Sequence, residues 1–334
     1  LTTTTIRPHR IAGTARRAVT NTRAAIIVLT IAAVSGIDAH PAGAATHTAD
    51  VPPPCGPLAI HQPIPLPAST TPAAPTLRRL ATHLTAEAAD TQRGRYTRIG
   101  VTMTAADSSI GDCVTTVTRH ATETRWRDEL ADSGTITGVG WYSDPEPAPA
   151  PSTAWYGPGE LPGVLPGRVP ADPTRLAAAL DQAYPPDGDE LAARVRAVLA
   201  RTGYQQAADG TASRVDAIGA LAAWHQTPRP ARRAILQVLA DVPGLTYHGR
   251  INLAGQAGIA VSVAARQHTT RYVLLLDEAT GQVHAAEYVL TDPVIGRNLA
   301  VQVPYSMSRI VMTPQARTAK PGTTRDGWVT TPAG

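Results

Sequence analysis

The sequence predicts an α+β protein: an antiparallel sheet packed against a helical cluster and preceded by an N-terminal signal or anchor segment. Three observations predict it. Leu245 to Asp292 holds four short apolar runs cut by polar or glycine-bearing turns, the pattern of an antiparallel meander. Tyr96 to Thr104 and Val114 to Trp126 are Thr-rich alternating runs that read as neighbouring strands with one wet face. Between these two blocks lie segments with helical apolar spacing. Strands and helices grouped apart in this way define the α+β class.

The elements follow in chain order. Leu1 to Arg23 carries Arg7, Arg10, Arg16, Arg17 and Arg23 and no acid, Ala24 to Ile37 is mostly apolar, and Ala42-Gly43-Ala44 fits a small-x-small cleavage pattern. The apolar run is short beside the roughly 20 residues of a spanning helix. Residues 1–45 are therefore expected to be a signal peptide or a retained membrane anchor, and both place the body of the protein outside the cytoplasm. Residues 46–75 read as a Pro-rich linker, with Pro52, Pro53 and Pro54 and then Pro57, Pro63, Pro65, Pro67, Pro72 and Pro75 favouring extended chain. Its expected role is to hold the following domain, residues 76–293, away from a membrane or wall.

Within that domain Leu77, Leu80, Ala81, Leu84 and Ala88 predict a helix over 76–92. Thr135 to Tyr142 adds a short strand after the two long ones. Asp144 to Pro173 is a Pro/Gly-rich crossover. Helices are expected from Asp172-Pro173, over 189–202, after Ser213, and around Ile235, Leu236 and Leu239. Ser213-Arg214-Val215-Asp216 resembles a capping box, with Asp in place of Glu. In the meander, Ile259, Val261 and Val263 alternate with smaller residues, and Gly281 supplies a tight turn. Residues 294–334 read as a C-terminal extension, partly disordered, with one short strand over 308–313.

Composition narrows the function. The chain of 334 residues has no Phe, five Trp and nine Tyr, so its core must be filled by aliphatic side chains. The formal net charge of +4 sits in residues 1–45, which leaves the rest balanced and without a basic tract. Nucleic-acid binding is excluded on that ground. Cys55 and Cys113 are the two cysteines, an even pair that suggests one disulfide in an exported chain; a catalytic thiol would need a His partner, which sequence cannot place.

No catalytic, cofactor-binding or metal-ligating set is predicted. The His residues show no HExxH or HxH spacing. His120 and Glu123 fall on opposite faces of a strand, while His248, His268 and His284 of the meander read as edge or turn residues. The acid pairs Asp128/Glu129, Asp187/Asp189/Glu190 and Asp277/Glu278 fall at turns or helix starts, where caps and solubility account for them. No GxSxG elbow, SxxK or Walker-type loop is present.

Several short motifs occur in order: Gly94-Arg95-Tyr96, Glu123-Thr124-Arg125-Trp126, Leu161-Pro162 with Pro170-Ala171-Asp172-Pro173, Leu239 to Leu245 (LADVPGL), Gly258-Ile259-Ala260-Val261 and Leu276 to Gly281 (LDEATG). On these the chain resembles a family of uncharacterised actinobacterial envelope proteins with one N-terminal membrane segment before an extracytoplasmic domain. That family is similar to the outer-membrane lipoprotein carrier and periplasmic sigma-regulator folds, in which a curved antiparallel sheet wraps helices around an apolar cavity, so the resemblance implies a curved, half-barrel-like sheet here. The resemblance implies non-enzymatic binding or sensing of a lipid or lipopeptide ligand, with Leu275 a candidate wall residue if it faces inward. It brings no catalytic residues and no cofactor. The alternatives are a structural or protein-interaction module at the envelope, docking a partner along a sheet edge, and thirdly an envelope hydrolase.

Overall fold

The structure is a computed structural model and describes residues 52–183, 210–265 and 268–321. The signal or anchor segment, the helix expected over 189–202, the acids around Asp187 and the last residues of the chain lie outside the described residues. Six helices and ten strands are described. They are α1 Ala74–His83, α2 Ala88–Thr91, β1 Tyr96–Ile110, β2 Val114–Asp128, β3 Ser133–Ser143 and β4 Ser152–Tyr156, then α3 Pro173–Ala183, α4 Gly210–Trp224 and α5 Arg229–Ala240. The meander follows as β5 Thr246–Leu253, β6 Gln256–Ala265, β7 Thr270–Leu276 and β8 Val283–Leu290; α6 Pro293–Asn298, β9 Tyr305–Met312 and β10 Ala316–Thr318 complete the set. No described helix is long and apolar enough to cross a membrane.

All ten strands belong to one antiparallel sheet, in the order β4-β3-β2-β1-β9-β8-β7-β6-β5, with β10 pairing the first residues of β1 beyond the end of β9. The α+β class and the antiparallel sheet expected from the sequence are present. Several expectations are corrected. The single helix over 76–92 is two helices, because the chain turns at Leu84 so that Thr85 N–H reaches the Ala279 carbonyl, and Glu87 then opens α2 with a capping box. Residues 294–321 are no loose extension: they supply β9, the strand that joins the two halves of the sheet, pairing β1 on one side and β8 on the other. The Pro-rich crossover also contains a strand, β4, at the sheet edge.

Period-2 alternation sends opposite faces of the strands into different cores. Ile99, Val101 and Met103 of β1, Ile259, Val261 and Val263 of β6, and Leu274 and Leu276 of β7 share one cluster with all the long helices. On the other face, Val273, Leu275, Ala285 and Val289 pack with Ile64 and Leu66. Leu275 thus points away from the helices, and Leu274 takes the position expected of it. A shift of one residue along a strand is a change of face.

Ile64 and Leu66 belong to the Pro-rich segment, which is not a spacer over its described part. It is a strap laid over the back of the sheet. Ile64 N–H donates to Glu287 Oε2 at 2.9 Å, Ser306 N–H to the His61 carbonyl at 2.9 Å, and Tyr247 N–H to the Thr71 carbonyl at 2.8 Å. The strap is also covalently closed: Cys55 and Cys113 form a disulfide across a separation of 58 residues. A loop of that length stabilises by about 4 kcal/mol in the chain-entropy model. A structural disulfide belongs to an oxidising, extracytoplasmic compartment.

Helix α4 is the hub of the helical layer. It lies directly on the central strands, while α5 packs behind it with α1 and α3. Its sequence is apolar on nearly every face from Val215 to Trp224, as expected of a helix buried all round. Gly219 permits its close approach to β8. A Cβ placed there would lie 2.5 Å from the Ala286 Cβ. We expect Gly219→Ala to destabilise the protein by about 1–3 kcal/mol through overpacking, outweighing the helix-propensity gain of up to about 1 kcal/mol. Urea denaturation checks this, and Ala286→Gly in the same chain should restore most of the loss.

A buried carboxylate and a buried ion network as candidate functional sites

Between α4 and strands β1, β9, β8 and β7 lies a cavity with about 40 Å³ of space for the centres of water-sized molecules. Small residues make it: Ala220 on α4 and Ala286 on β8 stand where larger side chains would close the gap. The walls are Met103, Leu274 and Ile310 with three aromatics, Trp141, Tyr272 and Tyr288. Tyr272 and Tyr288 are cross-strand partners whose ring centroids lie 5.0 Å apart.

The same lining contains Asp216. The capping box expected at Ser213 is not the start of the helix, since α4 begins at Gly210 and Asp216 sits nearly two turns inside it. Helical spacing puts residue 216 on the stripe of 212, 219, 220 and 223, which faces protein. Its carboxylate has no hydrogen-bond or ion-pair partner among the described residues. By surface area the residue is half-buried, and it lines the cavity. Burial pushes its carboxyl up to about 7. The signal in the sequence was a lone acid ahead of an otherwise apolar helical run, masked by its fit to a cap.

A second cluster sits where β2 ends. Arg127 is fully buried and donates to Glu129 Oε2 at 3.1 Å, to the Pro162 carbonyl at 2.8 Å, and to Asp132 Oδ1. His225 follows α4. Its Nε2 accepts from the N–H groups of Val164 and Leu165 at 3.1 and 3.2 Å, so Nδ1 carries the proton and donates to Glu129 Oε2 at 3.2 Å. Burial holds the imidazole below its ordinary range, in keeping with a neutral ring. Glu129 Oε1 also accepts from Gln226 N–H at 2.6 Å. Glu129 is therefore neither a cap nor a solubilising residue, as its position beside Asp128 had suggested. Every member has partners, and together they pin the 161–169 loop to the end of the sheet. This is architecture, not an open site.

The neighbouring Arg125 is also buried. It lies 3.7 Å above the Trp224 ring and donates to Glu123 and the Ala223 carbonyl, which fixes the end of α4 against β2. The remaining sequence candidates do not converge. Glu123 pairs with Arg125, while His120 stands 4.0 Å from Asp144. His248 bonds the Pro67 carbonyl and Ser262, and His284 lies 4.0 Å from Asp277. Asp277 caps its turn through the N–H groups of Ala279 and Thr280, while Glu278 pairs with Arg250 across the surface.

Fold and cavity together define an α+β protein on a large antiparallel sheet with one carboxylate turned into an apolar space beneath its central helix. No family model and no curated protein matches the chain. Among solved structures it is similar to the crystal structure of a DUF1329 family protein from Desulfovibrio piger, at 13% identity over 74% of this chain and 94% of that one, with a TM-score of 0.19.

Proposed function

We propose that the protein is a non-enzymatic binding protein of the cell envelope, exported or tethered through residues 1–45, whose apolar ligand places one end between α4 and the sheet. The observation that supports this reading is the Asp216 cavity. A well-packed core has no use for a space beside an unpartnered carboxylate, and such local violations of packing and polar satisfaction concentrate at functional sites. An arrangement like the lipoprotein carrier's would use the same interface between sheet and helices for a lipid or lipopeptide. The cavity has room for about three waters, so a lipid-like molecule would seat only its head or chain end there. The chemistry around Asp216 favours binding over catalysis: the other carboxylate near the cavity, Glu287, turns to the opposite face, where it accepts from Ile64 N–H, Ser306 and Arg309.

Native mass spectrometry of the full chain from an actinobacterial envelope fraction tests this. A stoichiometric lipid-sized adduct is expected, lost in Ala220→Leu, which fills the cavity. A bare mass that stays bare with added envelope lipid would overturn it. That result would favour a second reading, a protein-interaction module, for which Trp155 speaks: it stands 63% exposed on β4, an edge strand with a free row of backbone groups.

A further inference from the structure

We propose that the Asp216 cavity is an ammonium site, in which the Asp216 carboxylate and the rings of Trp141, Tyr272 and Tyr288 hold the positively charged head of the ligand. The inference rests on the binding reading above and names its ligand class. Among the described residues no Arg, Lys or His lines the cavity, and none of them neutralises Asp216. Among the described charged groups on the surrounding elements, Arg214 of α4 pairs with Asp181 at 2.7 Å, Arg309 of β9 with Glu287 at 2.6 Å and Arg125 of β2 with Glu123 at 2.7 Å, while alternation turns Arg98 of β1 and Arg271 of β7 to the strand face opposite that of Ile99 and Tyr272.

Each class of occupant meets different physics. A neutral apolar group leaves a desolvated carboxylate with no compensation. An anion is repelled by it. A divalent metal needs several oxygen ligands where the cavity offers one carboxylate. An ammonium or alkylammonium group gains the carboxylate as counter-ion, and its attraction to aromatic faces is strongest where water is excluded. Its methyl groups match the apolar remainder of the wall. The volume suits a head group of that size. Burial raises the Asp216 carboxyl, and a bound cation opposes that shift by favouring the ionised form.

Isothermal titration calorimetry of the full chain tests the inference, with tetramethylammonium as a cation of fixed charge and tert-butanol as its neutral isostere. Tetramethylammonium should bind at pH 8 and about tenfold more weakly at pH 6, where most of Asp216 holds its proton; tert-butanol should not bind measurably. Asp216→Asn should abolish the heat, and Trp141→Leu, which keeps the carboxylate, should weaken binding about tenfold. Equal binding of the two probes, or binding that ignores both pH and Trp141→Leu, overturns the ammonium site. If the native mass spectrum carries a lipid adduct while tetramethylammonium fails to bind, the cavity reading stands and the ammonium inference falls. If no adduct forms and neither probe binds, both fall.

Discussion

Asp216→Asn raises the thermal midpoint at pH 8 and leaves it unchanged near pH 4. In the unfolded chain this carboxyl titrates near its ordinary value of 3.8, whereas in the folded protein burial raises it to about 7. Below about 4 it is neutral in both states and costs nothing. Between about 4 and 7 the folded protein holds a proton that the unfolded chain has lost, so stability falls as pH rises. Above about 7 the penalty is complete. A shift of three units corresponds to a ceiling on the order of 4 kcal/mol, which the amide variant regains because it has no charge to bury. Thermal melts from pH 4 to 9 should show a wild-type midpoint declining through neutrality and a flatter curve for the variant. Parallel curves would mean that Asp216 titrates as an exposed acid.

Arg127→Met should lower the unfolding free energy by about 3–5 kcal/mol. The substitution keeps the volume but strands Glu129 and Asp132, which face Arg127 in its buried pocket. Removing one partner of a buried ionic group is costly mainly because the others stay behind uncompensated. The damage should be local as well as global, since Arg127 also holds the Pro162 carbonyl. Urea denaturation measures the first effect. Limited trypsinolysis measures the second, with faster cleavage at the exposed Arg168. Arg250→Ala is the control: its ion pair to Glu278 is exposed on both sides, and its loss should leave the midpoint almost in place. Arg127→Met with Glu129→Gln should cost less than Arg127→Met alone, because one stranded charge is gone.

The meander was legible because alternation along β6 and the turn at Gly281 are local signals that tertiary structure had no reason to override. Helix α5 was legible for the same reason, through Ile235, Leu236 and Leu239. What failed were statements about neighbours. Nothing local in Tyr305 to Met312 says that it pairs with β1, some two hundred residues earlier, so a central strand passed for an appendage. Prolines enforce extended chain whether that chain runs free or lies on a sheet, so the strap passed for a linker. The carboxylate at 216 was misassigned through a correct rule, since Ser-x-x-Asp does open helices; the helix simply began earlier. The cavity itself has no sequence signature, because two alanines and a glycine read as packing until their partners across the interface are known.

The place of β9 bears on how such a chain reaches its final form outside the cytoplasm. An exported polypeptide emerges amino end first, so β1 to β4 and then β5 to β8 are available long before Tyr305 to Met312. Until then the sheet is two unjoined halves, each with a bare inner edge, β1 on one and β8 on the other. Such edges pair readily with other chains, and the last strand must find both across long sequence separations, a slow step in folding. The vulnerable interval in the life of this protein is thus set by the arrival of its final strand.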